Sequence, residues 1–95
     1  MLYMVVMKYN PESGPLASES TRGAVEKSDK MLDQVQSNLG IKQIGEWIDM
    51  AGHEIFLLVD VADGHVITQM LSELGLLTWM KAEIHPVIAY EVDEA

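Results

Sequence analysis

The feature that most constrains this sequence is a strand-like segment, residues 54–61, that is apolar on both of its faces. Ile55, Leu57 and Val59 alternate along it with Phe56 and Leu58. Successive side chains of a β-strand point to opposite faces of the sheet, so each set faces a different side. A sheet built around this strand therefore needs an apolar cover on both faces.

Two other segments have the periodicity of amphipathic helices. Apolar residues of the first recur from Val25 to Leu39, and Gly40 is placed to end it in a left-handed cap. The second follows Asp63, a favourable N-cap residue, and ends before Gly75. The spacing predicts a helix over about residues 20–39 and another over about residues 64–74.

Three further apolar runs, residues 2–9, 41–50 and 82–92, predict the remaining strands. Residues 93–95 are expected to form a frayed tail. Ala51-Gly52 is placed for a tight turn that joins two strands in a hairpin. The order is βαββαβ within one domain, residues 1–95, which predicts an α+β, ferredoxin-like fold. Such a fold has a four-stranded antiparallel sheet with both helices on one face. Pro86 restricts the last strand to a sheet edge, because proline cannot donate a ladder hydrogen bond.

Two helices leave the other face of the predicted sheet uncovered. With 48% hydrophobic residues, the chain has more apolar surface than one small core needs. We expect a second copy to cover this face, giving a homodimer or a higher ring, with a ligand cavity between the two sheets. Replacing Leu58 or Val87 by Asp should then disrupt the oligomer.

Charge and cysteine content exclude several classes of function. The formal net charge of −9 repels nucleic acid and anionic membrane surfaces, so neither is an expected partner. The chain has no cysteine, and its three histidines lack the spacing of a metal site. No nucleotide-binding or Ser-His-Asp motif occurs, so we expect no metal and no cofactor. No signal peptide or membrane span is evident, which leads us to expect a cytoplasmic protein.

Several polar residues have both a chemical and a structural interpretation. His85 shares the open-face parity with Val87 and is either an acid or base or a hydrogen-bonded interface residue. His53 either donates to a ligand or is a solvated turn residue. Asp60 shares the parity of Phe56, so partial desolvation could raise its pKa, or it could cap the following turn.

Aromatic residues are candidates for binding a planar organic ligand. Trp47, Trp79 and Tyr3 could line a cavity, and Phe56 faces the predicted intersheet space. Aromatic residues in small cores and interfaces, however, need no ligand to explain them.

Three segments carry a likeness to a known family. They are the hairpin with Ala51-Gly52-His53, the pair Asp60-Val61 before the second helix, and the run from Leu74 to Met80 with Pro86-Val87 after it. In these places the chain resembles the muconolactone delta-isomerase-like family of the dimeric α/β-barrel superfamily. A second, uncharacterised bacterial family of that superfamily fits almost as well.

The resemblance implies a cofactor-independent isomerase acting on a small lactone or other apolar carbonyl compound. An acidic residue of the first helix would be the base, which corresponds to Asp29, or to Glu26 if the register shifts by one turn. His85 or His53 would donate to the enolate oxygen. The alternative is a non-enzymatic homo-oligomer that binds a small molecule or is purely structural.

Overall fold

The computed structural model describes residues 1–91 and contains the predicted order of elements. The strands are β1 (Leu2–Lys8), β2 (Lys42–Asp49), β3 (Glu54–Asp60) and β4 (Lys81–Val87). The helices are α1 (Glu19–Leu39) and α2 (His65–Glu73), with single 3-10 turns at Pro11–Ser13 and Leu76–Thr78. Among these residues no helix is both long enough and apolar enough to cross a membrane.

The four strands form one antiparallel sheet in the order β2-β3-β1-β4. The two βαβ halves interleave, so β1 and β3 lie in the centre and β2 and β4 at the edges. This is the predicted α+β, ferredoxin-like arrangement. Pro86 lies in β4, at an edge as expected.

The core lies between the sheet and both helices. Val5 of β1 and Val59 of β3 pack with Val35 of α1 and with Ile67 and Leu71 of α2 in one buried cluster. Both helices therefore cover the same face. Burying a side chain such as Ile67 stabilises the fold by about 1.5–3 kcal/mol.

The ends of the helices follow from local chemistry. Ser18 Oγ accepts a hydrogen bond from the Thr21 amide at 3.2 Å, and Gly40 ends α1 in the left-handed region at φ 68°. Asp63 is not the N-cap residue of α2, contrary to the prediction. Gly64 occupies the N-cap position. Asp63 lies one residue before it, and its Oδ1 accepts a hydrogen bond from the His65 amide at 2.9 Å.

The predicted last strand, residues 82–92, is too long at its C-terminal end. β4 ends at Val87, and Ile88 and Tyr90 are 86% and 95% exposed. β4 pairs only with β1, and that ladder ends at the pair Leu2 and Val87. Without a partner strand the apolar pattern of the following residues cannot extend the sheet. Residue 92 and the predicted tail, 93–95, lie outside the described residues.

A β-bulge in β2 changes which of its side chains share a face. Gln43 pairs with Val59 and Gly45 with Leu58, so Ile44 is an extra residue in the ladder. Gln43 and Glu46, three residues apart, consequently both face the helices. A regular strand would have placed them on opposite faces.

The sheet face away from the helices, which we term the open face, carries a band of apolar side chains. Cross-strand pairing places on it Leu2, Met4 and Val6 of β1, Trp47 of β2, Phe56 and Leu58 of β3, and Val87 of β4. This confirms the predicted division of β3 into two faces. None of the described elements packs over this band.

Candidate functional site

A cavity of about 300 Å³ lies between the sheet and the helices, and we term it the helix-side cavity. Its wall is formed by α1, α2, β1, β2, β3 and the segments that follow β1 and precede β4. Most of that wall is apolar, with Met7, Ile55, Leu57, Met70, Leu74 and Met80 among the lining residues. An apolar concavity of this size can hold a small organic molecule.

One face of α1 contributes four residues to the wall of the cavity. Val25, Ser28, Asp29 and Leu32 follow the i, i+3, i+4, i+7 spacing of a helix face, and all four line the cavity. Asp29 is exposed and Ser28 is buried. The cavity thus has a carboxylate next to apolar side chains of the same helix.

The facing wall on β2 also carries polar groups. Gln43, Glu46 and Ile48 line the cavity, which requires the bulge at Ile44. Gln36 Nε2 of α1 donates to Gln43 Oε1 at 2.8 Å, so a hydrogen bond joins the helix to the strand beside the cavity. Glu46 is exposed and adds a second carboxylate to the lining.

An aromatic cluster closes one end of the cavity. The ring centroids of Tyr9 and Trp79 are 5.5 Å apart, and both residues line the cavity. Trp79 Nε1 is buried and has no hydrogen-bond partner within residues 1–91. The His53 ring also contacts Tyr9, edge-on with centroids 5.5 Å apart, but His53 is not in the lining of the cavity.

The mouth of the cavity has an apolar rim. Leu16, in the loop before α1, is 78% exposed, and Ile48 and Met50 at the end of β2 are each more than half exposed. Exposed apolar side chains around a concavity are typical of a place where a ligand or partner is received. Asp29 and Glu46 belong to the same lining as this rim.

The two candidate bases on α1 differ in position. Asp29 lines the helix-side cavity, whereas Glu26 is exposed and does not belong to its lining. Of the nine predicted site residues, Asp29 and Trp79 line the helix-side cavity.

Four predicted site residues lie on the open face. Trp47 is 53% exposed there, Phe56 is half-buried, and His85 and Asp60 occupy the same face through their cross-strand pairs. These residues are separated from Asp29 by the sheet itself. His85 and Asp29 therefore do not meet within one chain.

His85 belongs to a small ionic group on the open face. Glu83 contacts His85 Nε2 at 3.1 Å through one carboxylate oxygen and Lys8 Nζ at 3.3 Å through the other. The hydrogen bonds from His85 and from Lys8 hold the pKa of the Glu83 carboxyl below its usual value.

The predicted rise in the pKa of Asp60 is wrong. The Met1 amino group donates to Asp60 Oδ1 at 2.8 Å, and this hydrogen bond, aided by the positive charge, lowers the pKa of the carboxyl. Its side chain is about half exposed, so water and the amino group together outweigh desolvation.

His53 and Tyr3 lie apart from the cavity. His53 ends the turn between β2 and β3 with φ 55°, a left-handed conformation that is uncommon for a residue other than glycine. The Tyr3 ring lies against Gly64, where a Cβ would approach it to 2.8 Å, and its hydroxyl donates to Met1 Sδ at 3.3 Å.

The polar lining residues Ser28, Gln43 and Glu46 were not predicted. Regular strand alternation from Gln43 through Ile44 would place Glu46 on the opposite face of the sheet from Gln43. Gly45 was the available signal, because glycine inside a strand is a frequent mark of a bulge. Among the described residues no group of three or more His, Asp or Glu side chains is close enough to hold a metal ion.

The fold and the cavity define a ferredoxin-like α+β domain with space for a small ligand under its helices. Residues 1–92 match the family described as Domain of unknown function (DUF3303), and the chain belongs to this family. A search of curated proteins finds no match.

A similar solved structure is the X-ray crystal structure of protein Atu4242 from Agrobacterium tumefaciens. It is 16% identical in sequence, with a TM-score of 0.52, and the match covers 95% of this chain and 96% of that chain. At this identity the likeness shows the fold alone. The resemblance to muconolactone delta-isomerases is not confirmed by either match.

Proposed function

We propose that this protein binds a small, largely apolar molecule in the helix-side cavity. The observation that carries the proposal is the cavity itself, about 300 Å³ in volume and lined mainly by apolar side chains. Its size is at the lower end of the range for ligand pockets. An apolar rim and a polar wall on one side are the usual means of admitting a ligand and fixing its orientation.

The two tryptophans provide an internal test, because they lie on opposite sides of the sheet. Trp79 lines the cavity and Trp47 lies on the open face. In Trp47→Phe, the remaining indole fluorescence should change on titration with 2-phenylethanol, a neutral apolar probe. In Trp79→Phe, the remaining Trp47 signal should not change.

A third variant links the signal to the cavity. Val25→Phe adds a ring to a lining position of α1 and should reduce or abolish the response of Trp79 without unfolding the chain. A response that persists in this variant, or no response in Trp47→Phe, would count against the cavity as the binding site.

A second candidate function is an isomerase-like proton transfer on a small carbonyl compound. It is favoured by Asp29, a carboxylate beside an apolar cavity, where a base could take a proton next to a carbonyl and return it two carbons away. The double bond moves in the opposite sense, and no oxidant or cofactor is consumed. His85 and His53 are not in the lining of this cavity within one chain. The side-chain donors in the lining are those of Tyr9, Ser28, Gln43 and Trp79.

This candidate is tested by proton exchange. An unsaturated γ-lactone without a carboxylate is incubated with the protein in D₂O, and deuterium incorporation and double-bond position are followed by NMR. Exchange should be catalysed by the parent and lost in Asp29→Asn, while Asp33→Asn, one turn further along α1 and outside the cavity, retains it. Catalysis that survives Asp29→Asn would exclude this residue as the base.

We further propose that two copies of the chain pair through the open face. Its apolar band is accompanied by an almost balanced set of charges, Lys8, Lys42 and Lys81 against Asp49, Glu54, Asp60 and Glu83. The whole chain carries −9, so this face repels a second copy far less than the rest of the surface does. Apolar area and local neutrality together support self-association there.

A further inference from the structure

The helix-side cavity has charged groups of one sign only. Asp29 and Glu46 belong to its lining, whereas no lysine, arginine or histidine of residues 1–91 does. Lys8, Lys42 and Lys81 are on the open face, and Lys27 and Lys30 are exposed on α1 outside the lining. The guanidinium of Arg22 donates to the Pro15 carbonyl at 3.0 Å. All six basic residues are thereby accounted for.

We infer that the cavity selects its ligand by charge, accepting neutral and positively charged apolar molecules and rejecting apolar carboxylates. This inference rests on the proposed function, since it names the ligand class of the same cavity. An apolar amine is the expected tightest binder, with its hydrocarbon part in the cavity and its ammonium group toward Asp29 and Glu46.

The cavity has two distinct regions, a buried apolar part and a solvent-exposed acidic part. The hydrocarbon part meets buried side chains such as Leu57, Met70 and Leu74, which gain from losing contact with water. Asp29 and Glu46 are exposed and come from the two opposing walls, α1 and β2. A polar head group at the solvent side of the cavity therefore lies within the field of both carboxylates.

The same arrangement opposes an anionic ligand. A carboxylate entering the cavity loses water on its apolar side and meets like charge on the other, without a basic group to compensate. The net charge of −9 adds a long-range repulsion that is screened by salt over about 8 Å at physiological ionic strength. An ammonium group also loses water, but the two carboxylates and the net negative charge attract it.

The test compares three probes of nearly equal size: 2-phenylethylamine, 2-phenylethanol and phenylacetate. Binding to Trp47→Phe is followed by Trp79 fluorescence near pH 7, at low salt and at about 0.15 M salt. We expect the amine to bind most tightly and phenylacetate most weakly, with at least about a tenfold difference in Kd between these two. The difference should decrease at the higher salt concentration.

A pair of matched double variants separates the cavity from the overall charge. Asp29→Asn with Glu46→Gln removes two charges from the lining and should bring the affinities of amine and carboxylate close together. Asp33→Asn with Glu73→Gln removes two charges from exposed positions outside the lining and should leave the order and most of the difference intact.

The outcomes distinguish this inference from the proposal on which it rests. If 2-phenylethanol binds but phenylacetate binds as tightly as the amine, the inference is wrong and the binding proposal stands. The inference is also wrong if both double variants reduce the difference equally, because the selectivity then comes from net charge. If none of the three probes binds, the proposed function and the inference both fail.

Discussion

At the scale of single residues, Glu83 illustrates how an exposed carboxylate can still couple stability to pH. Its contacts with His85 and Lys8 lower its pKa in the folded chain from the ordinary value of 4.5. A carboxyl whose pKa is depressed by folding adds stability above its unfolded pKa, and this is lost as pH falls through the folded pKa. We expect part of the acid destabilisation, below about pH 4.5, to come from this group.

The measurement is thermal unfolding of the parent and of Glu83→Gln between pH 3 and pH 7. The parent should be the more stable near pH 7, and the difference should shrink below about pH 4.5 as Glu83 is protonated. Glu73→Gln removes an exposed carboxylate that forms no ion pair within residues 1–91 and serves as the control. Parallel curves for parent and Glu83→Gln across the whole range would contradict the coupling.

The position of a residue could be predicted from sequence where one helix decides it, and could not where two elements meet. Helical spacing places Asp29 and Glu26 one turn apart on α1. It does not determine which of them lines the cavity, because that depends on how α1 packs against the sheet. Glu46 was missed because a bulge shifts its face. The pKa of Asp60 depends on the Met1 amino group, 59 residues away in sequence.

At the scale of elements, two glycines of the first helical segment allow a paired test of backbone conformation. Gly40 ends α1 at φ 68°, while Gly23 is an exposed position within the helix, and an added Cβ would meet no atom within 4 Å at either site. Gly40→Ala should destabilise the chain by about 1–2 kcal/mol because of its left-handed conformation. Gly23→Ala should stabilise it by about 0.5–1 kcal/mol, since alanine favours the helix.

Urea denaturation of the two variants measures this contrast directly. Because the substitution is the same and neither site is crowded, opposite signs would isolate the backbone contribution. Equal effects of the two substitutions would show that the left-handed cap contributes little to the stability of α1.

The elements themselves were largely predictable, because their periodicities are local properties of the chain. The order, the two faces of β3 and the cap at Gly40 all agree with the structure. The end of β4 was not predictable, since the apolar pattern continues past Val87 while the pairing with β1 does not. Strand length depends on the partner strand, which the local sequence does not describe.

At the scale of the whole molecule, the proposed pairing of two copies through the open face can be tested with a single substitution. If two copies pair there, Leu58→Asp places a charge in the apolar band and should convert the dimer to a monomer in sedimentation velocity experiments. Thr68→Asp adds the same charge to an exposed position of α2, on the other layer, and should sediment like the parent. A parent that is already monomeric, or a Leu58→Asp variant that still dimerises, would exclude this face as the interface.

The helix-side cavity is lined by Met7, Met50, Met70 and Met80, four of the seven methionines in the chain. Thioether side chains are unbranched and change conformation at little cost, so they adapt to occupants of different outline. If the proposed ligand binds here, shape alone discriminates weakly, and most of the discrimination falls to the few polar groups of the wall. Exchange of one such polar group could change what the protein recognises, while the surrounding backbone stays as it is.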